Sequence, residues 1–212
     1  YFPARPGRVP HRLTGIMAGL LVFALWIVLS VPASANPRYA SLIMEETSGK
    51  ILYSRNADKK LYPASLTKIM TLYMLFEALQ TGKVSKNTKM KVSRVAASRS
   101  PSKLYLKVGQ SISVEHAILA LVTKSANDVA TVVSEHLGGT EREFAKKMTR
   151  KAKALGMSRT VFKNASGLPN RAQVSTARDM ARLAVAMRRD FPQYFHYRSE
   201  ERRVGKECRS RW

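Results

Sequence analysis

Cysteine is nearly absent from this 212-residue chain, and histidine is scarce, with one and four copies. The single cysteine, Cys208, lies near the end of the chain and has no partner within it. Disulfides therefore cannot stabilise the fold, which must depend on a packed core, and a 45% hydrophobic content is enough to build one. No group of Cys and His residues has the spacing of zinc ligands, so we expect neither a metal nor a cofactor.

Acidic residues are also few. The chain has 14 Asp and Glu against 37 Lys and Arg, which gives a formal net charge of +23. Such an excess is typical of proteins that bind nucleic acid, an anionic surface or an acidic substrate. Here the bases are scattered along the chain, and few aromatic residues lie among them. We therefore predict a cationic exterior and no nucleic-acid partner, while association with a membrane surface stays open.

The first 35 residues have the organisation of a secretory signal peptide. Arg5, Arg8 and Arg12 precede an apolar stretch over residues 16–31, which leads to the small residues Ala33-Ser34-Ala35. This order of basic, hydrophobic and small-x-small regions predicts export. The apolar stretch is shorter than the ~20 residues of a usual membrane span, but an uncleaved anchor stays an alternative. Because the first residue is not methionine, we expect the natural chain to continue upstream.

Between the signal and residue 197 the sequence predicts a hairpin and about five helices. The hairpin strands are residues 39–45 and 51–55, around the turn Ser48-Gly49. Ser113, Thr140 with Glu143, and Thr176 with Asp179 are predicted helix caps. The five helices are predicted from Ser65 to Gly82, Val114 to Val122, Asp128 to Leu137, Thr140 to Leu155 and Thr176 to Met187. The remaining predictions are a loop over 82–109 with a short strand or two, one of them indicated by the apolar alternation at 104–106, a short strand at 160–164, and a loop at 164–170.

The last fifteen residues have a different character. Residues 198–212 are rich in arginine and contain almost nothing that a core could bury. The periodic apolar residues of the preceding segments stop abruptly at this point. We predict that this basic tail is foreign or frame-shifted sequence after a truncation, and a disordered basic tail is the alternative.

Ser65 and Lys68 are a candidate nucleophile and its candidate base. They stand three residues apart where a run of helix-period apolar residues begins, so both side chains are expected on one helix face. A serine becomes a nucleophile when a base takes its proton, and a lysine serves as that base only when its pKa is lowered. Helices also stabilise negative charge at their first turn. The motif alone is weak, because the same spacing recurs at Ser100 and Lys103.

A second polar triplet, Ser125-Ala126-Asn127, lies sixty residues beyond Ser65 in the break between two predicted helices. Other Ser-x-Asn triplets occur in the chain, but none has a packed helix on both sides. A turn held between packed helices keeps its side chains rigid, as a catalytic relay requires.

Together these motifs resemble the serine D-alanyl-D-alanine carboxypeptidases, the low-molecular-mass penicillin-binding proteins. Further matches are the segments 153–157, 164–169 and 175–180, and the resemblance covers roughly residues 38–197. It implies a partial DD-peptidase domain over residues 36–197, with the α+β fold of DD-peptidases and β-lactamases. In that fold an antiparallel sheet is flanked by helices, a helical subdomain carries Ser125, and the active site lies between them.

The resemblance also implies the residue roles. Ser65 would attack the terminal D-Ala-D-Ala bond of a peptidoglycan stem peptide and become the acyl-enzyme, while Lys68 accepts its proton. Ser125 would relay a proton to the departing D-alanine, and Asn127 would hydrogen-bond the substrate and steady Lys68. β-Lactams would be covalent inhibitors. The expected location is the periplasm or the outer face of the bacterial cytoplasmic membrane.

The chain departs from the family pattern in one respect: it contains no Lys-Thr-Gly. In the family this later strand binds the substrate carboxylate and supplies an oxyanion donor. The nearest candidate here, Gly205-Lys206-Glu207, lacks the hydroxyl. We therefore expect a chain truncated before that strand and inactive on its own.

Several other functions are compatible with parts of the sequence. A Ser-His-Asp hydrolase is disfavoured because no Gly-x-Ser-x-Gly occurs. A class A β-lactamase is disfavoured by Ala126, where those enzymes favour Asp, and by the lack of a Glu-x-x-Leu-Asn segment. The alternatives that stay are a D,D-endopeptidase or β-lactamase of the same superfamily, and a non-catalytic basic module that binds cell-wall polymers.

Overall fold

The computed structural model describes residues 39–199. The predicted signal peptide and residues 200–212 of the predicted tail lie outside this range. The described residues form an α+β structure of two small antiparallel sheets and seven α-helices. None of the helices between residues 39 and 199 is long and apolar enough to cross a bilayer.

The predicted N-terminal hairpin is confirmed. Strand β1 (Ser41–Met44) pairs antiparallel with strand β2 (Ile51–Arg55), with Ser41 opposite Arg55 and an irregular register between Ile43 and Met44. All residues of β2 are exposed, and large apolar side chains such as Leu52 (62% exposed) face outward.

Helix α1 (Thr67–Gln80) is the central helix, and a single turn of 3-10 helix (Ala64–Leu66) leads into it. Ser65 therefore lies just before the α-helix and not within its first turn. The helix-period apolar residues of this segment predict a helix with one buried stripe, and that expectation is wrong. Residues from several faces of α1 are buried: Thr67, Lys68, Met70, Thr71, Tyr73, Leu75, Phe76 and Ala78. Helices from both halves of the chain pack around α1, so a single stripe cannot describe it.

The segment over 82–109 contains one short strand, in line with the prediction of a strand or two, and a short helix that was not predicted. Strand β3 (Lys89–Lys91) pairs with β4 (Ser111–Ser113), and the short helix α2 (Arg94–Ala97) lies between them. The strand predicted at 104–106 is wrong. The backbone N–H groups of Leu104 and Leu106 donate to the Asp128 carboxylate instead of to a neighbouring strand.

Four further long helices agree closely with the sequence. They are α3 (Val114–Thr123), α4 (Asn127–Gly138), α5 (Glu141–Ala154) and α6 (Ala177–Asp190). The predicted caps are confirmed, since the side chains of Ser113, Thr140 and Thr176 accept hydrogen bonds from backbone N–H groups three residues on. Helix α7 (His196–Ser199) follows a 3-10 turn at Pro192–Tyr194. Helix α1 contacts α3, α4, α5 and α6.

The short strand predicted at 160–164 is reduced to one isolated bridge, between Val161 and Val174. Side chains supply the other partners that a strand would need. Thr149 Oγ1 accepts from Phe162 N–H, and Gln173 Oε1 accepts from the N–H groups of Lys163 and Asn164. These contacts fix the start of the loop that approaches α1.

Candidate active site

The backbone around Ser65 is shaped by a close contact with a distant loop. Ala64 has a φ of +46°, and Gly167 has a φ of +86°. A Cβ atom built on Gly167 would lie 1.9 Å from the Ala64 carbonyl oxygen and 3.1 Å from Ser65 N. Only glycine fits such an approach, so Gly167 lets the 164–168 loop lie against Ala64 and the backbone of Ser65. Ser65 itself is exposed.

Lys68 is buried, with 3% of its surface exposed. Its Nζ donates to Asn127 Oδ1 at 2.8 Å and to the Ser166 carbonyl oxygen at 2.6 Å. Both acceptors are neutral, and burial lowers the pKa of Lys68 to about 8. With that pKa roughly one Lys68 side chain in ten is uncharged at pH 7, against fewer than one in ~1,000 for an ordinary lysine.

The structure brings together Lys68 and Asn127, which the sequence predicted from two motifs. Ser65 and Lys68 line one cleft, as predicted, but within residues 39–199 no hydrogen bond joins their side chains. Ser125 lies on the far wall of this cleft, between α3 and α4, with a φ of +53°. The cleft has a volume of about 360 Å³. The side chains of Ile69, Leu72, Phe76, Leu121 and Phe191 make much of its lining apolar.

Asn127 joins Lys68 to the loop over residues 100–106. Its Nδ2 donates to the carbonyl oxygens of Ser100 at 3.0 Å and Pro101 at 3.1 Å, and its backbone N–H donates to Ser102 O at 2.8 Å. Because both hydrogens of Nδ2 are used, the Oδ1 atom is turned toward Lys68 Nζ. The orientation of the amide is therefore set by the loop backbone.

Asp128 supports the site, although no role was predicted for it from the sequence. It is fully buried, and its carboxylate accepts from Leu104 N–H and Leu106 N–H on the same loop. Asp128 and Asn127 thus hold opposite parts of one segment. Its position directly after the Ser-x-Asn triplet was the available signal, since a charged residue at the start of a packed helix needs hydrogen-bond donors.

The loop over residues 164–168 is held just as firmly on the other side of Lys68. Thr71 Oγ1 donates to Ala165 O at 2.7 Å, and Asn164 Oδ1 accepts from Gly167 N–H at 2.7 Å. The Ser166 carbonyl, which accepts from Lys68, is therefore placed by contacts on both sides. The sequence identified this segment as a loop and did not predict its contact with Lys68.

No group of His, Cys, Asp and Glu residues within residues 39–199 could hold a metal ion. The site instead offers an exposed hydroxyl, a buried amine with a lowered pKa, and an amide that holds this amine. These groups are the ones that a serine–lysine site requires, in which an amine would take the place that histidine has in Ser-His-Asp hydrolases.

Comparison with known proteins identifies the family. Residues 32–212 match peptidase S11, described as D-alanyl-D-alanine carboxypeptidase, and the chain belongs to this family. Among curated proteins, the chain is 39% identical over 150 residues to the D-alanyl-D-alanine carboxypeptidase DacF of Bacillus subtilis. That match covers 71% of this chain and 39% of the relative.

Solved structures agree with this assignment. The D-alanyl-D-alanine carboxypeptidase DacD from Francisella tularensis superimposes with a TM-score of 0.74 at 37% identity, over 79% of this chain and 41% of that one. Penicillin-binding protein D2 from Listeria monocytogenes, in an ampicillin-bound form, gives a TM-score of 0.66 at 32% identity, over 76% and 66%. The predicted family and the predicted α+β fold of DD-peptidases are therefore confirmed. The chain spans about two fifths of the length of the curated relative and of the Francisella protein.

Proposed function

We propose that the protein to which this chain belongs is a serine-type D-Ala-D-Ala carboxypeptidase. It would remove the terminal D-alanine from peptidoglycan stem peptides through an acyl-enzyme. The observation that carries the proposal is the state of Lys68, which is buried against two neutral acceptors with its pKa lowered to about 8. A buried amine of this kind, three residues after an exposed serine, is suited to accept the proton of that serine.

In the first step, neutral Lys68 accepts the Ser65 proton while Ser65 Oγ attacks the carbonyl carbon of the terminal D-Ala-D-Ala bond. Negative charge develops on the carbonyl oxygen, and the Ser65 backbone N–H, held at the start of the helix, would stabilise it. Ser125 then relays a proton to the nitrogen of the leaving D-alanine. The C–N bond breaks, and the shortened peptide stays esterified to Ser65.

In the second step, a water molecule attacks the ester carbonyl and gives up a proton to Lys68. The C–O bond to Ser65 then breaks, and Lys68 returns that proton to Ser65 Oγ, which regenerates the hydroxyl and the neutral amine. Asn127 has two proposed roles in both steps. Its Oδ1 accepts from Lys68 Nζ, and the second lone pair of this oxygen would accept from a backbone N–H of the substrate, because both Nδ2 hydrogens are donated to the 100–106 loop. The substrate would be reached after export, in the periplasm or at the outer face of the cytoplasmic membrane.

A β-lactam would react as a substitute for the D-Ala-D-Ala bond and remain on Ser65. A fluorescent penicillin therefore tests the proposal directly. In the full-length protein, Ser65→Ala should abolish covalent labelling, while Ser85→Ala, which removes an exposed hydroxyl outside the lining of the cleft, should leave it unchanged. Labelling that survives Ser65→Ala would contradict the assignment of the nucleophile.

The 212-residue chain by itself should label poorly, because it has no Lys-Thr-Gly to hold the carboxylate of the β-lactam. Efficient labelling of Ser65 in this chain would contradict that part of the proposal. The remaining alternatives are separable by product. Release of free D-alanine from purified peptidoglycan indicates a carboxypeptidase, whereas loss of cross-linked dimers indicates a D,D-endopeptidase. A non-catalytic wall-binding module would do neither, and its binding would weaken steeply with salt.

A further inference from the structure

A second pocket, here named the Arg171 pocket, adjoins the cleft of Ser65. It has a volume of about 280 Å³ and shares Pro63 and Ala64 with the cleft. Neither Lys68 nor Ser125 lines it. The pocket therefore extends from the residues just before the nucleophile, away from the wall that carries Ser125.

The lining of this pocket combines apolar surface with one cation. Tyr62, Leu168 and Pro169 contribute carbon surface, and Tyr62 is 67% exposed. Arg171 is exposed, and its guanidinium makes no hydrogen bond or ion pair within residues 39–199. No acidic residue lines the pocket. A ligand that fits such a surface has a carbon chain ending in a carboxylate, which a guanidinium binds through two parallel hydrogen bonds.

The backbone on both sides of Arg171 is held by local hydrogen bonds. Asn170 Oδ1 accepts from Ala172 N–H at 2.9 Å, and Gln173 N–H donates to Asn170 O at 3.0 Å. The Gln173 side chain is buried and fixes the start of the same loop. Because Gly167 lies directly against Ala64, the loop that carries Arg171 has a defined position relative to Ser65.

We propose that the Arg171 pocket binds the side chain of the residue that precedes D-Ala-D-Ala in the substrate, and that it selects a side chain bearing a carboxylate. This inference rests on the proposed function. The leaving D-alanine must contact Ser125, which lines the cleft and not the Arg171 pocket. The acylating part of the peptide therefore extends to the other side of Ser65, where Pro63 and Ala64 form the border between the two pockets.

Two synthetic pentapeptides ending in D-Ala-D-Ala test this inference with the full-length protein. One has meso-diaminopimelate before the D-alanines, and the other has lysine, whose side chain lacks only the terminal carboxylate. The expected kcat/KM for D-alanine release is about tenfold higher for the diaminopimelate peptide, in line with one charge-assisted contact. Arg171→Ala should remove this preference by lowering kcat/KM for the diaminopimelate peptide, while the lysine peptide is still hydrolysed, and Arg171→Lys should retain part of the preference.

Lys163→Ala is the matched control, because it removes an exposed cation from the same segment but outside the pocket. It should keep the full preference. Equal kcat/KM values for the two peptides in the unmodified protein, or a preference that survives Arg171→Ala, would overturn the inference while leaving carboxypeptidase activity intact. Failure to release D-alanine from either peptide, together with absent penicillin labelling, would overturn the proposed function and this inference with it.

Discussion

Replacing Gly167 by alanine should displace the backbone of the nucleophile and destabilise the fold. The new Cβ would lie 1.9 Å from Ala64 O and 2.4 Å from Ala64 C, distances that no real contact reaches. Both neighbours are backbone atoms, so no side chain can rotate to relieve the overlap. Either the 164–168 loop or the turn at Ala64–Leu66 must move.

Two costs add up at this position. An alanine held at a φ of +86° costs about 1–2 kcal/mol relative to glycine. Forcing an extra carbon into occupied space costs a further 1–3 kcal/mol, roughly the range for overpacked cores. The expected loss in free energy of unfolding is therefore about 2–5 kcal/mol, a large share of the ~5–15 kcal/mol that stabilises a typical domain.

Gly82→Ala separates these two costs. Gly82 also has a positive φ, +69°, but a Cβ there meets nothing within 4 Å. Its replacement should cost only the conformational part, about 1–2 kcal/mol. Urea denaturation of the full-length variants measures both values, and the rate of fluorescent-penicillin labelling reports the position of Ser65. Labelling should slow at least about tenfold in Gly167→Ala and stay unchanged in Gly82→Ala. Equal destabilisation of the two variants, or normal labelling by Gly167→Ala, would refute the reasoning.

Three further predictions concern the groups around Lys68. Penicillin labelling by the full-length protein should rise with pH to a midpoint near the Lys68 pKa of about 8, since only the neutral amine accepts a proton; a midpoint near 10.5 would contradict this. Because the folded pKa is the lower one, the unfolded chain binds more protons between these values, and the contribution of Lys68 to stability should rise with pH across them. Asp128→Asn places an amide N–H₂ near Leu104 N–H and should cost about 2–3 kcal/mol in urea denaturation; an unchanged midpoint would count against the buried contact. Thr71→Val keeps the shape but leaves Ala165 O without its donor, so it should cost about 1–2 kcal/mol, and a neutral result would show that this hydrogen bond does not fix the loop.

The elements that the sequence predicted well are those determined by nearby residues. The caps at Ser113, Thr140 and Thr176 depend on a side chain and a backbone N–H three residues apart, so the local pattern contains the whole interaction. The hairpin over residues 39–55 is local in the same sense. Lys68 and Asn127 were predicted to meet from a family resemblance, and the hydrogen bond between them is found.

The failures occur where a distant residue replaces the local partner. Residues 104–106 alternate like a strand, but the Asp128 carboxylate takes the N–H groups that a neighbouring strand would bind. Residues 160–164 lose their predicted strand because Thr149 and Gln173 accept from their backbone. Gly167 was recognised only as part of a loop. Its approach to Ala64 spans about a hundred residues of sequence, and no local pattern records such a contact.

The surroundings of Lys68 fit the base of the proposed mechanism better than they fit one member of a structural ion pair. A buried lysine that serves only the fold is expected to have a carboxylate partner, which would raise the pKa and repay part of the desolvation cost. Within residues 39–199 Lys68 has no such partner, since it donates to an amide oxygen and a backbone carbonyl, and burial lowers its pKa. The Asp128 carboxylate, one residue after Asn127, instead accepts hydrogen bonds from the 100–106 loop. Charge on Lys68 is thus costly to the fold, and this cost favours the neutral amine that the proposed mechanism requires.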